Sequence, residues 1–390
     1  MPVTDASPLT AMARLLTRRQ DKRGCRLLPL SLILVMGMFA WEPLQGGDDA
    51  SDAALRRDVA AYVAENYQTP ENYIIAKFKE HDIVFLGEMH GVKQNLQLLH
   101  RLIPELYSAG VYTLCYEFTH HRDQEKVDRL ISADQYDPKL AEELLWGIDL
   151  TYVTYEYRDV YKVVWELNHR LPRGARPFRV LALNEDDELW RTHGELKPYI
   201  QSENLYWAQL ISKEIIAHHE KALVYSGSGH SFTRFFFQRG EDSSFAAGNL
   251  IYNYIKDRTM TIRLHGNTEP VGLNESVERA MRDVPEERRR VGLDTVSWPV
   301  GRIPVAINGY LFRTQRCNSF SLADISDGYV MLAARTAFEP VTFVRGFVTR
   351  ENYDRVEKQW RREHPRDQLY TIKELEDFAA DNWRHLNDRK

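Results

Sequence analysis

The stretch IVFLGEMHGVKQN, residues 83–95, places a short apolar run directly before Gly-Glu-Met-His-Gly and a segment with leucines at helical spacing. A run of this length that ends at a glycine is typical of a buried strand. Five further runs of the same kind follow, at 111–118, 178–184, 221–227, 259–266 and 327–333. Because helical patterns lie between most of these runs, the sequence predicts an α/β fold with a mostly parallel central sheet flanked by helices.

The composition favours a globular protein that does not bind nucleic acid. The chain has 390 residues, of which 43% are hydrophobic and 27% charged, and its formal net charge is -5. Such a balance excludes a disordered or fibrous chain and gives no overall attraction for nucleic acid. The three cysteines have no paired spacing, so the sequence predicts neither a disulfide framework nor a cysteine-based zinc site.

The N-terminal residues resemble an export signal. A basic region precedes LLPLSLILVMGMFAW, residues 27–41, which carries no charge and is shorter than the roughly 20 residues of a membrane span. This pattern predicts an exported, periplasmic or extracellular protein, with an uncleaved membrane anchor through 27–41 as the alternative. The predicted organisation is a signal or anchor with its linker at 1–48, an α/β domain at 50–348 and a charged helical extension at 349–390.

Polar side chains lie at or just after the carboxyl ends of the predicted strands. In a parallel sheet, ligands bind beyond the carboxyl ends of the strands, so we expect these side chains to converge at one edge. They are Glu88, His90, Glu117, Asn184, Glu185, Asp186, Asp187, Ser226, Ser228, His230, Ser231 and His265.

The pattern Gly-x-x-His occurs twice in this set, as GEMH at 87–90 and as GSGH at 227–230. Glycine permits a sharp turn and a close backbone approach, and a neutral imidazole can ligate a metal or accept a proton. Glu88 and Glu117 could orient an imidazole, ligate a hard metal or act as a general base. The alternative for Glu117 is a carboxylate that a helix N-terminus satisfies.

The segments FLGEMHG, YEF and YSGSGH together resemble the superfamily that joins ChaN-like haem-binding proteins, erythromycin esterases, TraB-type proteins and the Tiki metalloproteases. The resemblance covers roughly residues 50–348 and implies a ChaN/erythromycin-esterase-like fold. It makes His90 and His230 the paired functional histidines and Glu88 and Glu117 their acidic partners. An arginine often contributes in this superfamily, and Arg158 and Arg234 are the candidates.

Three functions follow from these residues. The first is a hydrolase in which His90, Glu88, Glu117 and His230 activate water for a small-molecule or peptide substrate. A divalent Mn, Co or Zn ion could assist, held by His90, Glu117 and His230. The second is a non-covalent haem-binding protein of iron uptake, with a histidine such as His90 or His230, or one of the many tyrosines, as the axial ligand. The third is a binding domain without catalytic activity.

The segment YEYRDVY, residues 155–161, sets Tyr157, Arg158 and Tyr161 at helical spacing. We interpret this spacing as a packing face rather than the wall of a substrate site.

Overall fold

The computed structural model of the protein describes residues 50–184, 202–234, 237–239, 242–266, 272–305, 320–363, 371–384 and 386. The predicted signal or anchor segment, Glu185, Asp186 and Asp187 lie outside these residues. Among the helices that are described, none combines the length and the apolar character that a membrane crossing requires.

The described strands lie between residues 83 and 331. They are β1 (Ile83–Glu88), β2 (Thr113–His120), β3 (Arg179–Asn184), β4 (Ala222–Gly227), β5 (Phe237–Arg239), β6 (Asp242–Ser244), β7 (Thr259–Leu264), β8 (Val291–Asp294), β9 (Pro304–Val305), β10 (Phe320–Ser321) and β11 (Gly328–Met331).

The described α-helices flank these strands in sequence. They are α1 (Ala50–Asn66), α2 (Pro70–Lys77), α3 (Lys93–Ser108), α4 (Gln124–Ser132), α5 (Pro138–Trp146), α6 (Tyr155–Arg170), α7 (Ser202–Glu214), α8 (Ser228–Ser231), α9 (Ala247–Ile255), α10 (Leu273–Ala280), α11 (Leu322–Ile325), α12 (Tyr353–Glu363) and α13 (Ile372–Asp381).

Seven strands form the central sheet in the order β3-β2-β4-β1-β7-β11-β8. Every neighbouring pair is parallel except β11 and β8, which pair antiparallel at one edge. The predicted α/β class with a mostly parallel sheet is therefore confirmed. The edge strand β8 was missed, because four residues containing a glycine give no detectable alternation beside a charged loop.

The strand β1 lies at the centre of the sheet, and all six of its residues are buried. Its side chains alternate between two cores: Val84 and Leu86 join the core beneath α3 and α6, whereas Ile83 and Phe85 join the core beneath α7 and α9. Helices therefore cover both faces of the sheet, as a parallel sheet requires.

The C-terminal helices pack into the core of one sheet face. The buried side chains of these helices and of the residues that follow α13 belong to the cluster that also contains Leu86 of β1 and the apolar face of α3. They are Val356, Trp360, Leu375, Ala379, Trp383 and Leu386. The described part of 349–390, which the sequence set apart as an extension, thus shares its core with the α/β domain.

Candidate active site

Three neighbouring strands, β2, β4 and β1, bring the four predicted site residues to the carboxyl edge of the sheet. Glu88 is the last residue of β1 and lies beside Gly227, the last residue of β4. His90 follows two residues after Glu88, and His230 lies in the short helix α8 that follows β4. The strand ends thus place both Gly-x-x-His turns side by side.

Glu88 lies beneath His90 and is wholly buried. Its Oε1 accepts hydrogen bonds from the Tyr157 hydroxyl at 2.6 Å and from His90 Nδ1 at 2.9 Å, and its Oε2 accepts one from the Tyr225 hydroxyl. Burial raises the pKa of Glu88, although the hydrogen bonds from His90, Tyr157 and Tyr225 oppose that rise. With its hydrogen on Nδ1, the His90 imidazole turns Nε2 toward the cleft.

His230 is oriented by an amide instead of a carboxylate. Asn204 Oδ1 lies 2.7 Å from His230 Nδ1 and also accepts the Ala247 N–H at 3.1 Å. Because a backbone N–H only donates, this atom of Asn204 is the oxygen, and His230 Nδ1 must carry the hydrogen. The Trp207 ring packs on the imidazole with 4.5 Å between centroids. His230 Nε2 therefore also faces the cleft.

Glu117 lies between the two imidazoles. Its Oε2 accepts the Gly227 N–H at 2.6 Å, whereas its Oε1 lies 3.9 Å from His90 Nε2 and 3.8 Å from His230 Nε2. The latter separations exceed a hydrogen bond. Three acceptor atoms thus face one space, whose natural occupant is a molecule that donates hydrogen bonds or carries positive charge. Gly227 directly precedes the short helix α8, so the alternative for Glu117, a carboxylate held at a helix N-terminus, stays open.

The two motifs pack against each other through their glycines. A Cβ atom on Gly227 would lie 2.9 Å from Cε1 and Nε2 of His90, and a Cβ atom on Gly87 would lie 2.5 Å from Ser231 Oγ. Each motif therefore needs a glycine where the other motif approaches it, which explains the residue that begins both patterns.

Aromatic side chains form a wall beside His90. The rings of Phe118 and Tyr152 meet the imidazole edge-on, with centroids 5.5 Å and 5.8 Å away. The Tyr152 ring also packs on Trp383, at 5.7 Å. These apolar neighbours shield one side of the cleft, and the His90 side chain is 30% exposed.

The three residues expected to hold a metal ion, His90, Glu117 and His230, meet in the cleft. Within the described residues, no group of three or more His, Cys, Asp or Glu side chains has a geometry able to hold a metal ion. Glu117 Oε1 lies 3.9 Å from His90 Nε2 and 3.8 Å from His230 Nε2, and the expected metal-ligand set stays a prediction.

Three other predicted residues lie in local networks instead of the cleft. His265 is buried, with Nδ1 at 2.6 Å from the Tyr329 hydroxyl and Nε2 at 3.0 Å from Glu278 Oε1, and burial lowers its pKa. Arg158 pairs with Glu142 and Asp159, and Arg234 pairs with Asp327. His265 follows β7 at the carboxyl edge of the sheet, but its ring is held by Tyr329 of β11 and Glu278 of α10 and not by the residues around Glu117.

Four residues near the cleft were missed or given another role. Tyr157 was interpreted as packing, yet its hydroxyl binds Glu88. Tyr225 lies in β4, two residues before Gly227. The sequence does not show that the partner of its hydroxyl is Glu88 of β1. Asn204 and Glu203 lie at the start of α7, and no local pattern singles them out. Burial raises the pKa of Glu203, and its charge interacts with those of His230, Glu117 and His90.

The protein is of the α/β class, with helices on both faces of a seven-stranded, mostly parallel sheet. Comparison with solved structures finds a protein of the same architecture. The crystal structure of a succinoglycan biosynthesis protein aligns with a TM-score of 0.54 and 12% identity, covering 76% of this chain and 99% of that one. A Bacillus cereus protein aligns with a TM-score of 0.46 and 14% identity, covering 71% and 97%.

ChaN of Campylobacter jejuni, in a structure that shows cofacial haem binding, aligns with a TM-score of 0.31 and 14% identity, covering 50% of this chain and 86% of that one. No protein-family model matches the sequence, and a search of curated proteins gives no significant match. The alignment with the succinoglycan biosynthesis protein supports the fold alone.

Proposed function

We propose that the cleft between His90, Glu117 and His230 activates water to hydrolyse an ester or amide substrate in an exported protein. One observation carries this proposal: both imidazoles have Nδ1 held by a hydrogen bond and turn Nε2 toward one oxygen of Glu117. A water molecule in this space would donate a hydrogen bond to an imidazole and to the carboxylate, which is the arrangement that general-base catalysis needs.

The residues then divide the reaction among them. The water oxygen bonds to the substrate carbonyl carbon, and its proton passes to His90 Nε2. Glu88 accepts a hydrogen bond from the Nδ1–H group and stabilises the imidazolium that forms. When the C–O or C–N bond breaks, the leaving group takes that proton. Glu117 orients the water, and His230 holds the substrate side of the same space. These steps use only side chains of the protein, and a divalent ion held by His90, Glu117 and His230 is the alternative that the measurements below distinguish.

The first test is a hydrolysis assay on a panel of nitrophenyl esters and fluorogenic peptides. His90→Ala, His230→Ala and Glu117→Gln should each lower kcat/KM by about 10²- to 10⁴-fold. His169→Ala is the matched control, because His169 is an exposed helical histidine that contacts the Trp165 carbonyl. Equal activity in all four variants would contradict the proposal.

A second measurement separates this function from the two alternatives. Haemin titration that gives a Soret shift, lost in His90→Ala and His230→Ala, would replace the hydrolase with a haem-binding protein. Stoichiometric Mn, Co or Zn lost in the same variants would replace the water mechanism with a metal-assisted one. A protein that binds neither ligand and leaves the whole panel intact would be a binding domain without catalytic activity.

A further inference from the structure

We propose that Trp383, from the C-terminal segment, is a positioning residue that sets the place of His90 in the cleft; this inference rests on the proposed function for its kinetic consequence only. The segment was expected to be an extension of the α/β domain. Trp383 instead follows α13 and is 5% exposed, within the same core as α3.

The first contact is with the residue next to His90. Gly91 has a φ of +81°, and a Cβ atom there would lie 2.2 Å from Cε3 of the Trp383 ring. The indole therefore lies directly on the Gly91 backbone. Glycine is required at this position twice over, by the backbone conformation and by the ring that occupies the side-chain space.

The second contact is with the wall beside His90. The Trp383 indole N–H donates to the Thr151 carbonyl at 2.8 Å, and its ring packs on Tyr152 at 5.7 Å. Tyr152 in turn meets the His90 imidazole edge-on. Trp383 thus supports His90 along two routes, through the Gly91 backbone and through Tyr152.

These two routes act together with the hydrogen bond between Glu88 and His90 Nδ1. Glu88 sets the direction of the His90 Nδ1–Nε2 axis, whereas Gly91 and Tyr152 bear on where the ring lies along that direction. Trp383 contacts both of them. A displacement of about 1 Å in a catalytic group can cost as much as 10²-fold in rate, so the support has a kinetic consequence.

The variant Trp383→Phe tests this role, with Trp360→Phe as the matched control. Trp360 is equally buried in the C-terminal helices and packs on Phe378 at 4.7 Å, so both changes remove an indole from the same core. Hydrogen–deuterium exchange of the peptide that covers residues 84–96 is the primary readout. We expect faster exchange in Trp383→Phe and unchanged exchange in Trp360→Phe.

Steady-state kinetics of the same two variants is a separate measurement. Trp383→Phe should lower kcat by roughly tenfold with little change in KM, whereas Trp360→Phe should keep kcat. Unchanged exchange in Trp383→Phe, or equal exchange in the two variants, would overturn the inference. Selective exchange in a protein without hydrolytic activity would leave Trp383 as the residue that positions His90 and would reject only the proposed function.

Discussion

The His90 turn and the His230 turn share a four-residue spacing but hold their imidazoles differently. His90 Nδ1 binds Glu88, which lies two residues earlier in the same motif, whereas His230 Nδ1 binds Asn204, which lies 26 positions earlier on another element. A carboxylate stabilises a positive charge on its imidazole, and an amide oxygen orients the ring with a weaker interaction. The shared motif therefore fixes where the backbone turns, and the partner of Nδ1 fixes what each histidine does.

The largest effect should come from Gly227→Ala, because it disturbs both turns together. The added methyl group would meet His90 at 2.9 Å and Glu117 Oε2 at 3.7 Å. Hydrolysis should fall by at least about 10²-fold, because the imidazole must move from the cleft. Gly229→Ala in the same motif is the control, since nothing lies within 4 Å of its Cβ position. Equal kcat/KM for the two variants would show that the turns do not pack as described.

Glu88→Gln removes the charge that distinguishes the His90 turn. We expect kcat to fall by roughly 10²-fold, because the imidazolium loses its carboxylate while the side-chain shape is kept. Glu278→Gln makes the same change in the Glu278–His265 pair, outside the cleft. Steady-state kinetics of the two variants should differ; a matching loss in both would point to general destabilisation.

Asn204 is the partner of Nδ1 in the His230 turn, as Glu88 is in the His90 turn. Asn204→Leu removes the acceptor shared by His230 and the Ala247 N–H, and we expect about a tenfold loss of kcat/KM. Asn204→Asp keeps the acceptor and should retain most of that activity. If the leucine variant were fully active while the aspartate variant was not, orientation by Asn204 would be rejected.

The smallest expected effect is on how the free energy of unfolding depends on pH. A carboxyl group whose pKa is raised in the folded state binds more protons folded than unfolded. Glu88 therefore contributes stability that is fully present below its ordinary pKa of 4.5 and is lost as the pH rises through the folded pKa. Urea unfolding between pH 4 and about pH 8 should show this decline in the wild type and a weaker decline in Glu88→Gln.

Glu278 should change the free energy of unfolding with pH in the opposite direction to Glu88. Burial would raise its pKa, but the hydrogen bonds from His265 and the Arg335 N–H outweigh burial and lower it. Its contribution is present above pH 4.5 and is lost as the pH falls through the folded pKa. Glu278→Gln should therefore lose stability near neutral pH. A common slope in the two variants would contradict the assigned pKa directions.

The fold was predictable because the parallel strands are buried on both faces. Such strands read as continuous apolar runs, and β1, β2, β3, β4, β7 and β11 all fall within or overlap the predicted runs. The antiparallel edge strand β8 has only four residues, one of them a glycine, and was not predictable. The carboxyl-end rule likewise found His90, Glu117 and His230, because strand order alone brings them to one edge.

The supports of the site were not predictable, since they depend on which elements meet in space. Asn204 reaches His230 from α7, Tyr157 reaches Glu88 from α6, and Trp383 reaches Gly91 from beyond α13. Each of these residues stands in a helical pattern that is equally consistent with packing. Only the packing of helices onto the sheet decides which side chain meets the cleft.

The central place of β1 has a consequence for how the protein folds. Its two neighbours, β4 and β7, lie more than a hundred residues away along the chain, so the strand pairings that form the cleft are non-local. Chains rich in such pairings fold slowly, because loop closure must precede the contacts that reward it. In refolding from urea, helical circular dichroism should return first, and the ability to bind a ligand between His90 and His230 should return last.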